Sequence, residues 1–358
     1  MIIGIDAREG VRAQRAGKGE YVYQLVNQII HHDEHKFILF VDGNPPHQWQ
    51  RANVRIINFP TGAWLWQFLM FWYLEILRPV DVYLSTTSLI LPALVRSVPV
   101  ITALMDFVSF LFPASQTKKT VILERMWMRP ALIYSRHLIA ISKHTKADAT
   151  KLFGTNPDKI SVVYLAPGLT QPAADYPLPE GKIILSVGTL EPRKNIERLV
   201  AAFDQVKLAV PEAILVVVGR WGWHSDKIRQ ALAASPWQKD IKILLEVNDA
   251  QKISIYQQAQ VLVFPSLYEG FGLPPLEAMA LGVPVVTSNR ASLPEVVGDA
   301  ALVVDPTSTT EIAQAIQQIL QNPGLAQDLV IRGLARAELF TWAKTANQTL
   351  QVLLKIKP

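Results

Sequence analysis

The sequence of 358 residues contains no cysteine. This excludes disulfide bonds, thiolate nucleophiles and cysteine-ligated metal sites, and it is consistent with a cytoplasmic protein. The first six residues, MIIGID, run straight into a strand pattern and lack the basic segment that opens a secretory signal peptide. We therefore expect a cytoplasmic protein without a cleaved leader.

Long hydrophobic runs are also lacking. The most aromatic stretch, WLWQFLMFWYL at residues 64–74, is interrupted by Gln67 and is followed by Glu75. It falls short of the roughly 18 apolar residues that a transmembrane helix needs. The pattern favours a helix buried in a core, and a face that lies on a membrane is the minority alternative, so we keep peripheral membrane contact open.

The charge is mildly basic, with 35 Lys and Arg against 30 Asp and Glu and a net charge of +5. Such a charge suits nucleic acid, an anionic membrane surface or phosphorylated substrates. The basic residues are scattered, and no RNA-binding motif or zinc finger is present, so we expect no nucleic-acid partner. The segment 117–134 predicts a basic amphipathic helix whose charges face either an acidic acceptor or water.

The most informative stretch is SLYEGFGLPPLEAMA at residues 266–280. The apolar run 261–264 predicts a buried strand before it, and residues 276–281 predict a short helix after it, with Pro275 at the first helical position. The loop therefore joins the carboxyl end of a strand to a helix N-terminus. That is where an open α/β sheet binds ligands and where backbone N–H groups favour an anion.

Two carboxylates flank the glycines of this loop. Glu269 and Glu277 are eight positions apart, and Gly270 and Gly272 let the backbone approach a ligand closely. Because carboxylates repel a bare phosphate, we expect them to contact hydroxyl groups while the amides hold the negative charge. A phosphate-linked sugar supplies both kinds of group. Taken singly, each residue also fits a structural role in helix-dipole compensation or a turn.

Together, the Glu-x7-Glu frame and its Gly-Phe-Gly-Leu-Pro interior resemble the nucleotide-sugar loop of retaining glycosyltransferase family 4, the group 1 glycosyltransferases. The resemblance implies that Glu269 holds hydroxyls of the transferred sugar and that Glu277 holds the ribose hydroxyls. The backbone between them would bind the diphosphate, through Gly270, Phe271, Gly272 and Leu273. It also implies retention at the anomeric carbon.

A second segment supports the resemblance. Residues 182–187 predict a strand, and the loop GTLEPRKN at 188–195 then leads into a helix at 196–210. Its Glu-Pro-Arg-Lys-Asn sequence resembles the pyrophosphate-binding segment of the family. Arg193 and Lys194 would therefore stabilise the departing diphosphate, since Arg binds phosphate bidentately and Lys acts as a point charge.

Further site residues follow from the resemblance alone. Gly219 and Val247, each in the loop after a predicted strand, would line the base pocket. In the first half, Gly17 and Gly19 form a Gly-x-Gly loop after the first strand, which would face the donor's phosphates across a cleft. Asp106 follows the predicted strand 98–104, and it fits either a role in the site or a helix cap.

The sequence departs from the family at one position. The family usually has His-Asp at the end of this strand, with the His close to the reacting sugar, whereas this chain has Met105 before Asp106. Either the backbone of this segment positions the substrate, or the protein is catalytically impaired.

Alternating strand and helix patterns predict an α/β protein with parallel sheets. The Pro- and Gly-rich segment 166–181 predicts a linker. We predict two Rossmann-like domains that face a central cleft, the GT-B fold of the family. The N-terminal, acceptor-binding domain would span 1–170 and take back a crossover helix at 342–358, and the C-terminal, donor-binding domain would span 178–341.

The predicted function is transfer of a hexosyl group, with mannosyl as the first guess, from a nucleotide-diphosphate sugar to a saccharide or lipid-linked saccharide acceptor in cell-surface polysaccharide synthesis. No Asp-x-Asp pair is present, and we expect no cofactor and no required metal. Two alternatives stay open. One is a non-catalytic scaffold that binds donor, suggested by Met105, and the other is a sugar-nucleotide epimerase of the same fold.

Overall fold

The computed structural model describes residues 1–12, 17–168 and 172–356. They form two units. Unit 1 contains Met1–Phe107, Lys119–Ala166 and Phe340–Pro358, and unit 2 contains Val108–Lys118 and Pro167–Leu339. The predicted domain end at Thr170 lies outside the described residues. The segment Val108–Lys118, which the prediction placed in the N-terminal domain, belongs to unit 2.

Unit 1 is built on a parallel sheet of seven strands in the order β3-β2-β1-β4-β5-β6-β7. The strands are β1 (Ile2–Asp6), β2 (Lys36–Val41), β3 (Val54–Asn58), β4 (Val82–Ser85), β5 (Val100–Leu104), β6 (His137–Ala140) and β7 (Ile160–Val162). Their near-continuous apolar sequences suit a sheet that helices cover on both faces. The strand order reverses between β1 and β4.

The helices of unit 1 connect these strands. They are α1 (Gly17–Ile29), α2 (Ala63–Trp72), α3 (Ile90–Leu94), α5 (Lys118–Tyr134), α6 (Lys143–Phe153) and, at the end of the chain, α14 (Trp342–Leu354). The last helix packs against α1, where the rings of Tyr21 and Trp342 lie 6.5 Å apart between centroids. Thr345 also donates its hydroxyl to the carbonyl of Tyr164 at 2.7 Å.

Helix α2 contains the aromatic stretch, and it is only half buried. Trp66, Met70 and, beyond the helix, Leu74 are buried in the core of unit 1, whereas Trp64 and Phe68 on the opposite side are exposed. The prediction of a buried core helix is therefore wrong for one face. The helix continues as a π-helical turn, Tyr73–Leu77.

Unit 2 is built on a second parallel sheet in the order β10-β9-β8-β11-β12-β13. The strands are β8 (Lys182–Val187), β9 (Ala213–Val218), β10 (Ile241–Leu244), β11 (Val261–Phe264), β12 (Val285–Ser288) and β13 (Leu302–Val304). The order reverses between β8 and β11, so the loops that follow these two strands meet at a topological switch point. Both parallel, Rossmann-like sheets of the prediction are thus confirmed.

The helices of unit 2 are α4 (Val108–Leu111), α7 (Ile196–Ala209), α8 (Asp226–Ala234), α9 (Asp249–Gln258), α10 (Leu273–Ala280), α11 (Leu293–Val297), α12 (Thr309–Gln321) and α13 (Pro323–Ala337). Helices α7 and α12 bury apolar faces in one core, which includes Phe203 and Ile316. In the described part of the chain, no helix is long and apolar enough to cross a membrane.

Candidate active site

The switch point of unit 2 brings two predicted loops together. The amide of Leu267, after β11, donates to the carbonyl of Arg193, after β8, at 2.9 Å. In return, Nη1 of Arg193 donates to the carbonyl of Tyr268 at 2.6 Å. Because neighbouring parallel strands end at the same edge of the sheet, residues 75 positions apart in sequence become direct neighbours.

The side chain of Asn195 holds these loops together. Asn195 precedes α7 at the N-cap position, but its side chain makes no capping hydrogen bond. It adopts a left-handed conformation with φ of 61°, and its Nδ2 donates to the carbonyls of Pro265 at 3.0 Å and Pro306 at 2.7 Å. Asn is one of the few residues that tolerate this conformation, so its side chain can tie the loops after β8, β11 and β13 together.

A cluster of charged side chains lies between the two loops. Oε1 of Glu269 accepts from Nζ of Lys194 at 2.6 Å and from the hydroxyl of Ser266 at 2.6 Å, and it lies 2.8 Å from Nη1 of Arg193. Nη2 of Arg193 donates to Glu191 at 2.5 Å. Two cations and two carboxylates thus form a neutral group, which we call the Glu269 cluster.

The Glu269 cluster is largely buried, and its carboxylate stays ionised. Burial by itself raises the pKa of Glu269, but the nearby charges of Arg193 and Lys194 and the hydrogen bonds from Lys194 and Ser266 outweigh it and lower that pKa to about 2. Burial also lowers the pKa of Lys194, and Glu269 opposes this effect. The carboxylate therefore keeps its charge at neutral pH and holds both cations in place.

The glycine loop and helix α10 follow Glu269. The helix begins at Leu273, three residues before the predicted start, and Gly272 precedes it with φ of 115°. A Cβ atom at Gly272 would lie 2.7 Å from Cδ2 of Leu293, so both conformation and space require glycine. The hydroxyl of Ser292 lies 2.6 Å from the carbonyl of Phe271. Gly270 completes the loop.

Of the first four residues of α10, only Leu273 and Leu276 carry an amide hydrogen, because Pro274 and Pro275 stand between them. The N-terminal turn of this helix therefore has fewer amide hydrogens than that of an ordinary helix.

Glu277 lies deeper in the same helix. It is the fifth residue of α10, because that helix starts before the predicted helix at 276–281. Its Oε2 accepts from the hydroxyl of Tyr256 at 2.9 Å, and its Oε1 lies 3.6 Å from Nζ of Lys252. The buried Tyr256 thus holds one carboxylate oxygen of Glu277.

Gly219 and Val247 each occupy the loop after their own strand, β9 and β10. A Cβ atom at Gly219 would lie 1.9 Å from the carbonyl oxygen of Gly188, so close packing of the loops after β8 and β9 by itself requires glycine there. Val247 is half-buried between β10 and α9. Both stand at the edge of the sheet that carries the Glu269 cluster.

The predicted residues of the first half form a separate group in unit 1. Gly17 and Gly19 do not form a loop, since they lie in the first turn of α1. Between them, Lys18 lies 3.7 Å from Glu124, and with Met105 and Asp106 these side chains line a small cavity of about 30 Å³. Burial lowers the pKa of Lys18, but Asp106, Glu124 and Glu9 outweigh it and raise that pKa. Met105 therefore borders a cavity that is lined by three charged side chains and by several apolar ones.

Sequence reasoning missed several residues that hold the site. They are Glu191, Ser266, Ser292 and Tyr256, each bonded to a predicted site residue or its loop. Glu191 and Ser266 are the first residues of Glu-Pro-Arg-Lys-Asn and of the stretch 266–280, so their position was a usable signal. Ser292 and Tyr256 lie on other elements, and only the fold brings them close. Among the described residues, no group of three or more potential metal ligands occurs.

The sequence profile of one family, described as glycosyl transferases group 1, matches residues 173–336. Over 264 residues the chain is 34% identical to the O-antigen chain mannosyltransferase B of Escherichia coli, and the match covers 70% of this chain and 68% of that protein. With the serotype-specific mannosyltransferase WbdA of Escherichia coli, the match is 32% identical over 180 residues and spans 22% of that protein's length.

Solved structures share the fold. Sucrose-phosphate synthase from Thermosynechococcus elongatus gives a TM-score of 0.80 at 21% identity, covering 99% of this chain and 98% of that chain. A crystal structure of HepE from Anabaena in complex with UDP-glucose gives a TM-score of 0.76 at 15% identity and covers 99% of both chains. These likenesses confirm the predicted GT-B fold class, with its two Rossmann-like domains.

Proposed function

We propose a reaction for this chain, which belongs to the group 1 glycosyl transferases and is a glycosyltransferase. It moves a hexosyl group from a nucleotide-diphosphate sugar to a saccharide or lipid-linked saccharide. Mannose is our first candidate, because the relative from Escherichia coli is named a mannosyltransferase of the O-antigen chain. A neighbour in fold binds UDP-glucose, which supports a nucleotide sugar as the donor class. We place the reaction in cell-surface polysaccharide synthesis.

The observation that carries this proposal is the Glu269 cluster beside the N-terminus of α10. Transfer through an oxocarbenium-like transition state builds negative charge on the departing diphosphate. Lys194 is held 2.6 Å from Glu269, and Leu273 offers its amide at the helix N-terminus. Such preorganised donors stabilise a developing anion without reorganising at the moment of reaction.

Arg193 and Lys194 differ in how fully the protein itself uses them. The guanidinium of Arg193 already contacts Glu191, Glu269 and the carbonyl of Tyr268. Lys194 donates one of its three ammonium hydrogens to Glu269. We therefore assign Lys194 as the main contact to the diphosphate, while Arg193 both adds positive charge and holds the two loops together.

The two carboxylates would contact hydroxyl groups of the donor. We assign Glu269 to the transferred sugar and Glu277 to the ribose, with retention at the anomeric carbon. Tyr256 supports the second assignment, because its hydrogen bond to Oε2 orients Glu277. Gly219 and Val247 would border the base, Gly17 and Gly19 would face the donor's phosphates as the resemblance implies, and Asp106 stays a candidate catalytic residue. We propose that the positive side chains and amides replace a metal ion at the diphosphate, and that the protein works in the cytoplasm on an acceptor at the membrane.

The proposal is tested with a panel of GDP-, UDP- and ADP-sugars, measured by thermal shift and by release of nucleoside diphosphate. We expect one donor to raise the melting temperature and to release diphosphate slowly, and faster with oligosaccharide or polyprenyl-linked acceptors. The Lys194→Ala variant serves as the matched control, since it should lose the release of nucleoside diphosphate. If no sugar nucleotide binds, the proposed function is wrong.

The same assay separates the two alternatives, which the named relatives do not favour. A scaffold would bind donor without releasing diphosphate, and an epimerase would convert the donor without any acceptor. Met105 is the specific observation behind the scaffold, so Met105→His is the decisive variant. If wild type is inactive and this variant releases diphosphate, the chain is a binding protein that lost the catalytic side chain.

A further inference from the structure

The exposed side of helix α2 presents a row of large apolar side chains to solvent. Trp64, Phe68, Trp72 and Ile76 follow one another at intervals of four residues and are 57%, 58%, 46% and 63% exposed. That spacing places them on one side of the helix and its π-helical continuation. The opposite side is already packed in the core of unit 1. Large contiguous apolar patches on a protein surface mark interaction sites.

Helix α5 presents a face of related composition. Its exposed positions alternate between apolar and basic residues, namely Lys119, Ile122, Arg125, Met126, Arg129, Ile133 and Tyr134. The spacing of three and four residues again places them along one side of the helix. A helix that mixes apolar and basic residues on its solvent side suits the boundary between water and lipid headgroups.

Arg96 joins these two faces into one surface. Glu75, in the π-helical turn after α2, accepts a hydrogen bond from the backbone amide of Arg96. The guanidinium of Arg96 in turn lies 3.7 Å from the ring centroid of Tyr134, at the end of α5. Arg96 therefore links the turn after α2 to the end of α5, and we call the exposed side chains of α2, its π-helical turn, Arg96 and α5 together the α2–α5 face.

The charge of the α2–α5 face has one sign. Residues 63–77 and 118–134 contain only two acidic side chains, and both are half-buried and paired. Glu75 accepts from the amides of Arg96 and Ser97, and Glu124 lies 3.7 Å from Lys18. The exposed charges on these two helices are therefore basic and stand beside exposed aromatic side chains.

We propose that the α2–α5 face docks on the surface of an anionic lipid bilayer. Trp side chains favour the headgroup level, and each Lys or Arg near an anionic membrane contributes to binding. Long Arg side chains can bury their stems while their charges reach the phosphates. A second copy of the chain fits less well, because a symmetric contact would place basic residues against basic residues. The inference does not depend on the proposed reaction.

The test uses the full chain without donor or acceptor, mixed with phosphatidylcholine vesicles that contain or lack phosphatidylglycerol. We expect the protein to sediment with the anionic vesicles and to do so less as salt is raised. Brominated lipids should quench its tryptophan fluorescence. Trp64→Phe/Trp72→Phe should still bind but lose most of the quenching, because Phe keeps the apolar contact and removes the reporter.

Two further variants assign the binding to this face. Phe68→Glu, and separately Lys119→Glu/Arg129→Glu, should each lower partitioning at least about tenfold. The matched control is Leu208→Glu, because Leu208 is 77% exposed on α7 in unit 2. This variant should bind the vesicles as wild type does. The proposal is overturned if wild type ignores anionic vesicles, or if the face variants bind unchanged. Self-association that Phe68→Glu abolishes, without any vesicle binding, would instead make the face a dimer contact.

Discussion

The Glu269 cluster in unit 2 buries charged side chains, whereas the α2–α5 face in unit 1 exposes aromatic ones. In the cluster, each buried charge has a partner of opposite sign within 2.8 Å, so its position is set by the protein. On the face, Phe68 and Trp72 contact each other at 6.1 Å between ring centroids, Trp72 also contacts Phe71 at 5.5 Å, and both side chains are still about half exposed. The first region is held together by its own opposite charges, whereas the second leaves apolar surface exposed.

The largest effect should come from breaking the cluster. Glu269→Gln keeps the shape of the side chain but leaves Arg193 and Lys194 buried beside each other with less compensating charge. We expect the free energy of unfolding to fall by about 3 kcal/mol, as measured in urea at pH 7. An exposed ion pair offers the matched control, because Glu212→Gln, whose partner is Lys182 at 3.0 Å, should leave the free energy of unfolding nearly unchanged.

A ligand should restore part of that loss. If the two cations face the diphosphate, a nucleoside diphosphate should raise the melting temperature of Glu269→Gln more than that of wild type, because its phosphates supply the missing negative charge. An equal shift in both proteins would mean that the cations do not face the ligand.

Lys194→Ala sharpens the assignment within the cluster. Removing one preorganised charge donor should lower the rate of diphosphate release roughly a hundredfold, which corresponds to about 2.7 kcal/mol. Because Arg193 also fastens the loops, Arg193→Ala should lower stability as well as rate, whereas Lys194→Ala should act mainly on kcat. Wild-type turnover in Lys194→Ala would remove this residue from the mechanism.

The pH dependence follows from the lowered pKa of Glu269. Its ordinary pKa is 4.5 and the folded protein lowers it to about 2, so the carboxylate's stabilisation is complete above pH 4.5 and disappears as the pH falls through 2. The difference in unfolding free energy between wild type and Glu269→Gln should therefore shrink by about 2 kcal/mol between pH 6 and pH 3. A difference that stays constant over this range would show that the carboxylate is not held ionised by its neighbours.

The Glu269 cluster could be predicted from the sequence better than the α2–α5 face could. Buried strands such as β8 and β11 are continuous apolar runs, and in a parallel sheet the loops after neighbouring strands must meet. That alone brings Arg193 and Lys194 to Glu269. Their partners on other elements could not be predicted, because nothing local in the sequence links Tyr256 to Glu277 or Ser292 to Phe271.

The starts of α1 and α10 were not recognised in the sequence for a local reason. Both helices start at glycine-rich segments without a Ser, Thr, Asp or Asn cap, so Gly17 and Leu273 gave no start signal. For α2 the difficulty is different. A helix that is apolar on all sides has little periodicity, and its composition indicates burial although one side faces solvent.

The smallest expected effect belongs to the exposed side of α2, and it distinguishes that side from the buried one. Phe68 is 58% exposed and Met70 is fully buried, although they are two residues apart on one helix. Phe68→Ser should therefore change the free energy of unfolding by less than about 0.5 kcal/mol, whereas Met70→Ala should lower it by about 2–5 kcal/mol. Both are measured on the isolated chain without vesicles. If Phe68→Ser proves as costly as Met70→Ala, the side chain is already covered in solution, and the α2–α5 face is not available to a membrane.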